Sequence, residues 1–137
     1  SALDDPAHRR WLERAFEEAN VDLFASSHTC LPALRAFDFG RGSVAVVNNG
    51  AAGMPNFAGG RCGVITRVSV HPAPAPLYGT RVAGVHVDAL AVRYDAPAWE
   101  RRFLASWPEG SPAHRSYYRR IAEGPPFAID SALPLAA

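Results

Sequence analysis

Between Ser43 and Tyr94 the chain is cut into short apolar runs by two stretches that suit neither a helix nor a strand interior. They are Asn49-Gly50-Ala51-Ala52-Gly53-Met54-Pro55-Asn56-Phe57-Ala58-Gly59-Gly60 and His71-Pro72-Ala73-Pro74-Ala75-Pro76. Glycine loses much backbone entropy when ordered, and proline lacks the N–H that a helix or ladder needs, so these stretches read as structured turns and connections. What remains between them is strand-like: Ser43–Asn48 with its run Val44-Ala45-Val46-Val47, then Arg61–Val70, then Arg81–Tyr94 as the longest strand. In the last of these, Val85, Val87, Ala89, Ala91 and Arg93 share one face, and His86, Asp88, Leu90, Val92 and Tyr94 share the other.

The flanks carry helical signals. Asp5 as N-cap, Pro6 at the first helical position and Asn20 as the stop predict a helix, with Trp11, Leu12, Ala15, Phe16 and Ala19 on its apolar face. Val21–Ser27 then reads as a short strand ending in Ser27-His28-Thr29-Cys30, with a turn of helix expected after Pro32. Two helices close the chain. Pro97–Trp107 has Trp99, Phe103 and Trp107 at four-residue spacing, and Pro112–Glu123 is capped by Ser111 and stopped by Gly124. The tail from Pro125 reads as irregular. Pro-Ala-His-Arg occurs at residues 6–9 and again at 112–115, which marks two helix starts rather than a repeat. The order predicts a single α/β (α+β) domain over residues 1–137: a layered sheet, mostly antiparallel after its first strand, covered by helices.

Charge and composition narrow the chemistry. The 14 basic residues are all arginine and face 13 acidic ones, for a net charge of +1. Without lysine there is no Schiff-base or Walker-type chemistry, and without a basic excess a nucleic-acid partner is not expected. Two cysteines, Cys30 and Cys62, are too few for a secreted disulfide scaffold and match no paired zinc motif. No apolar run is long enough to span a membrane and no signal peptide is visible, so a cytoplasmic location without membrane attachment is expected. The chain opens a few residues before its first helix without an initiator methionine, and so reads as a product of processing or truncation.

The chemistry-bearing candidates gather at the end of the first strand. If the backbone stays extended there, His28 and Cys30 point to the same side, where an imidazole and a thiolate suit a borderline metal. Taken alone, the pair reads first as a hydrogen-bonded histidine beside a small thiol. Thiol catalysis, with His28 activating Cys30, is disfavoured because neighbours two apart on an extended segment rarely achieve the needed hydrogen bond. His8 and His114 fall at helix starts, His71 in the proline-rich connection, and His86 beside Asp88 in a cross-strand arrangement. The glycine-rich loop after Asn48 has two readings that stand level: a phosphate-facing backbone cradle, or a tight turn system packed under Phe57.

A helix, then Val21-Asp22-Leu23-Phe24-Ala25-Ser26-Ser27-His28-Thr29-Cys30-Leu31-Pro32, then a strand ending in Asn48-Asn49-Gly50-Ala51, resembles the C-terminal portion of calcineurin-like metallophosphoesterases. In that family a helix and strand lead to a Gly-His-x-His motif, followed by a strand with an Asn-Pro-Gly-Ser-like turn. The resemblance covers residues 5–95, with 96–137 a helical elaboration. It implies half of an αββα sandwich and a two-metal centre whose bridging hydroxide attacks a phosphoester in line. Carried over, His28 matches the first histidine of the motif, and Cys30 stands in place of the second. A thiolate there shifts preference from manganese toward zinc or iron. Asn49 and Gly50 become the substrate-binding candidates. No catalytic residue is assigned, because the family's Asp-x-His, Gly-Asp-x-x-Asp and Gly-Asn-His motifs do not occur in this chain. The resemblance therefore implies an incomplete divalent-metal site (Mn, Fe or Zn) and an isolated chain without activity. It also implies a phosphoester substrate for the complete protein and an apolar face covered by self-association or by the missing N-terminal half. A non-catalytic binding or assembly module on the same half-fold is the alternative.

Overall fold

Asp5 accepts a hydrogen bond from the Ala7 N–H at 2.7 Å, Pro6 takes the first turn, and Asn20 ends the helix in the left-handed region at φ 50°. This helix, α1 (Pro6–Ala19), begins a computed structural model that describes residues 5–133. Six strands follow: β1 (Leu23–Ser26), β2 (Pro32–Phe39), β3 (Gly42–Asn49), β4 (Cys62–Ser69), β5 (Tyr78–Val82) and β6 (Val85–Arg93). The helices α2 (Ala96–Ser106) and α3 (Pro112–Glu123) then precede a short 3-10 helix at Ile129–Ala132.

The strands form two three-stranded sheets, ordered β1-β3-β2 and β4-β6-β5. Only β1 and β3 run parallel; every other pairing is antiparallel, as expected for strands after the first. The domain is thus a layered α/β (α+β) fold with mostly antiparallel strands and two C-terminal helices. Strand alternation sends Leu34, Ala45 and Val47 of the first sheet toward Val64, Tyr78, Val87 and Ala89 of the second, and this is the main core. On the opposite face of the first sheet, Leu12 and Phe16 of α1 pack on Phe37, Phe39 and Val44. The Phe16 ring lies 4.6 Å from that of Phe24 and 6.2 Å from that of Phe39.

Several local expectations change. The segment after Pro32 is a strand, not a helical turn. Proline opens it, where a missing N–H costs no central ladder bond, and Leu34, Phe37 and Phe39 find cores on the two faces. The long strand expected over Arg81–Tyr94 is the end of a hairpin. Ala83 and Gly84 both have positive φ (47° and 81°), the signature of a two-residue primed turn, and Val82 pairs with Val85. β1 is shorter than Val21–Ser27, and Ala25 and Ser26 are exposed because β1 lies at a sheet edge. In α2 only Phe103 of the expected aromatic stripe is buried; Trp107 has left the helix as its C-cap, at φ −131°. The tail is not wholly irregular, since Arg35 Nη1 donates to the Ala132 carbonyl at 2.8 Å and anchors the 3-10 helix on β2.

Candidate functional site

β1 and β3 are parallel neighbours, so both end on the same side of the first sheet, and the segments that leave them meet there. Leaving β1, Ser27-His28-Thr29-Cys30 is a turn rather than an extended tip. The Cys30 N–H donates to the Ser27 carbonyl at 3.3 Å, and Cys30 has φ 53°. The alternation that was to place His28 and Cys30 on one side therefore does not operate; His28 is exposed and Cys30 half-buried.

Asn48, at the end of β3, joins the two segments. Its Nδ2 donates to Thr29 Oγ1 at 3.0 Å and Ser26 Oγ at 3.2 Å, while its Oδ1 accepts from the Gly50 N–H at 2.8 Å. Asn49 turns the other way and donates to the Val64 carbonyl at 3.0 Å, tying the loop to β4. Gly50 has φ 73°, and a Cβ there would collide with Asn56 Oδ1 and the Pro32 ring, so no other residue fits without rearrangement. Asn56 is fully buried and acts as a clasp: Oδ1 accepts from Ala51 N–H at 2.7 Å, and Nδ2 donates to the Ala51 carbonyl at 2.6 Å and the Met54 carbonyl at 3.0 Å. From α3, Arg120 donates to the carbonyls of Cys30 and Pro55, and so holds both segments at once.

This hydrogen bonding bears on the two readings of the loop. The N–H groups of Gly50, Ala51, Ala58, Gly59 and Gly60 are each taken by a protein acceptor. Phe57 is buried in the main core. Much of the stretch is therefore a packed turn system, with Ala52 and Gly53 as its exposed portion.

The other histidines lie elsewhere. His8 is exposed on the first turn of α1 and His71 is exposed in the proline-rich connection. His114 stacks on Tyr118 with ring centroids 4.7 Å apart. His86 sits opposite Ser69 and Arg81, while Asp88 is spent on structure: its Oδ2 accepts the Ala73 N–H at 2.8 Å and lies 3.5 Å from Arg67. Among the described residues no three His, Cys, Asp or Glu side chains converge as a metal site, so His28 and Cys30 remain two donors at most. No helix among the described residues is long and apolar enough to cross a membrane.

Asn48, Asn56, Thr29 and Arg120 were not singled out from sequence. Asn48 ends an obvious strand, but Asn56 sits inside a run of turn formers, and Arg120 lies 90 residues from Cys30 on an amphipathic helix with no local signal. Compared with protein-family models, curated proteins and solved structures, the chain gives no match.

Proposed function

We propose that this chain is the C-terminal part of a metal-dependent phosphoesterase and that it lacks activity by itself. The observation that carries the reading is the meeting of the Ser27-His28-Thr29-Cys30 turn and the Asn48-Asn49-Gly50-Ala51 loop at the ends of two parallel strands, bridged by Asn48. In this reading His28 and Cys30 are ligands to a divalent cation (Mn, Fe or Zn), and Asn49 and Gly50 shape the substrate side. Two donors do not complete such a site, so further ligands come from outside the described residues. The protein is cytoplasmic in this account.

The edge position of β1 supports the same reading. The first sheet ends at β1 with no strand beyond it among the described residues. Beside it an apolar groove of about 250 Å³ opens between Trp11, Leu12 and Ala15 of α1 and Phe24 and Val46 of the sheet. Val68 of β4 and Val70 just past its end are also exposed. A missing half, or a second copy of the chain, would cover the groove beside β1.

The test compares the isolated chain with a longer one carrying upstream sequence, using a generic phosphodiester with manganese or zinc. The isolated chain is expected to be inactive. In the longer chain His28→Ala should cost at least the ~10–100-fold that follows loss of a mere outer-shell partner. Robust turnover by the isolated chain overturns the account of it as a part. Full activity of both forms of the longer chain removes His28 from the site. An inactive longer chain that still captures a partner favours the second reading, a non-catalytic assembly module, for which the uncovered groove is the specific support.

A further inference from the structure

On the far side of the exposed Ala52-Gly53 bend, a cleft of about 360 Å³ is lined by Ala52, Gly53, Val92, Tyr94, Asp95 and Trp99. Its volume lies in the range of small-molecule sites. Three separate pieces of chain build it: the β3–β4 loop, the end of β6 and the first turn of α2. The loop can lie this close because Gly63 of β4 lacks a side chain; a Cβ there would collide with the Ala52 carbonyl. The residues on the loop side are as small as residues can be. A Cβ added at Gly53 meets no atom within 4 Å.

The lining is apolar and aromatic apart from one carboxylate. Trp99 is 38 % exposed, leaving a large indole surface on the wall. Tyr94 adds its ring, while its hydroxyl is buried without a hydrogen-bond partner among the described residues. Asp95 caps α2, with Oδ1 accepting the Ala98 N–H at 2.9 Å. That bond holds the carboxylate in place, and no hydrogen bond to its second oxygen is made by the described residues. An indole wall favours a flat π-system, and a fixed carboxylate oxygen at the rim accepts from an N–H.

We propose that this cleft binds a planar, uncharged heteroaromatic ring carrying an N–H donor, of the nucleobase type, stacked on Trp99 with its amino group directed to Asp95. The extension that such a ring is the alcohol side of a phosphoester substrate rests on the phosphoesterase reading above. The cleft itself does not, because ring binding needs neither phosphate nor metal.

The probe is adenosine, titrated against the full chain and followed by backbone NMR shifts and tryptophan fluorescence, with ribose as the ring-free control. Saturable binding in the millimolar range or tighter is expected, with shifts at Ala52, Gly53, Val92 and Trp99 and none with ribose. Gly53→Leu adds bulk to the loop wall of the cleft, at a position where a Cβ meets no atom within 4 Å, and should weaken binding while the fold is kept. Trp99→Ala should weaken binding about tenfold or more, the range for loss of a base-stacking partner. Asp95→Asn keeps a good helix cap and should weaken adenosine while sparing purine riboside, which has no amino group. Shifts that map elsewhere, unsaturated titration, or unchanged affinity in both Gly53→Leu and Trp99→Ala overturn the proposal. Adenosine binding alongside a catalytically inert longer chain would leave the cleft standing and remove the phosphoesterase reading; the converse would remove only the cleft.

Discussion

The two faces of the first sheet are covered to different extents. Toward the second sheet, Leu34, Ala45 and Val47 meet a layer as wide as their own, and the 3-10 helix adds Ala132 along β2. Toward α1, a single helix about 10 Å across lies over three strands spaced about 4.8 Å apart, and it can cover roughly two of them. α1 buries Phe37, Phe39 and Val44 of β2 and β3 and meets Phe24 of β1 through Phe16, and the groove opens beside Phe24. The lesson is one of width: a sheet seals a sheet, whereas one helix leaves an edge strand only partly covered. In this chain the partly covered strand is β1, whose Phe24 packs on Phe16 while Ala25 and Ser26 stay exposed, and it leads into Ser27-His28-Thr29-Cys30.

The difference can be broken by mutation. The largest effect is expected at Phe16, which is 0 % exposed and joins α1 to both Phe24 and Phe39. Phe16→Ala should cost about 3–5 kcal/mol in denaturant unfolding, since the covered part of the helix face depends on this ring. A loss below ~1 kcal/mol would mean that α1 is not docked as described. Next comes Asn56→Ala, which leaves the Ala51 N–H and the carbonyls of Ala51 and Met54 without their clasp. About 3 kcal/mol is expected, with hydrogen exchange rising first in residues 50–56. Protection unchanged there would show that the loop is held by something else.

On the sealed side, burial raises the Tyr78 phenol from 10.0 to about 12. The unfolded chain releases this proton near pH 10 and the native one only near pH 12. This contribution is therefore intact below pH 10 and is lost as pH rises to 12, by roughly 2–3 kcal/mol. Tyr78→Phe should flatten that part of the alkaline unfolding curve. At neutral pH the same variant should be neutral or gain up to ~1 kcal/mol, because the buried hydroxyl has no partner among the described residues. The smallest effect is expected at Trp11, 65 % exposed on the open side. Trp11→Ala should cost under ~1 kcal/mol in stability and, if a second copy covers the groove as proposed above, lower the mass seen by light scattering. A cost rivaling that of Phe16→Ala would show the groove to be closed, and the contrast between the two faces would fail.

Much of the local structure was legible in the residues. Asp5-Pro6, Ser111-Pro112, Asn20 and Gly124 mark helix ends because capping and backbone restriction act within a few residues, and each stands where expected. The hairpin at Ala83-Gly84 was missed because a non-glycine residue takes one of its positive-φ positions. The strand after Pro32 was missed because proline can open either a helix or a strand, and only the two waiting cores decide between them. The pair His28 and Cys30 was visible as chemistry, but its backbone was not: the two residues lie in a turn whose Thr29 meets Asn48, 19 residues away.

By itself the sequence determined the layered class, the ends of α1 and α3, the antiparallel bias and the exclusion of lysine chemistry, since these follow from residue type and short-range spacing. The tertiary structure alone decided that β1 pairs parallel to β3, that Asn48 and Arg120 join two distant turns, and that a cleft opens beside Trp99. Each of these depends on which segments become neighbours, and that is settled by the packing of whole faces rather than by any local signal.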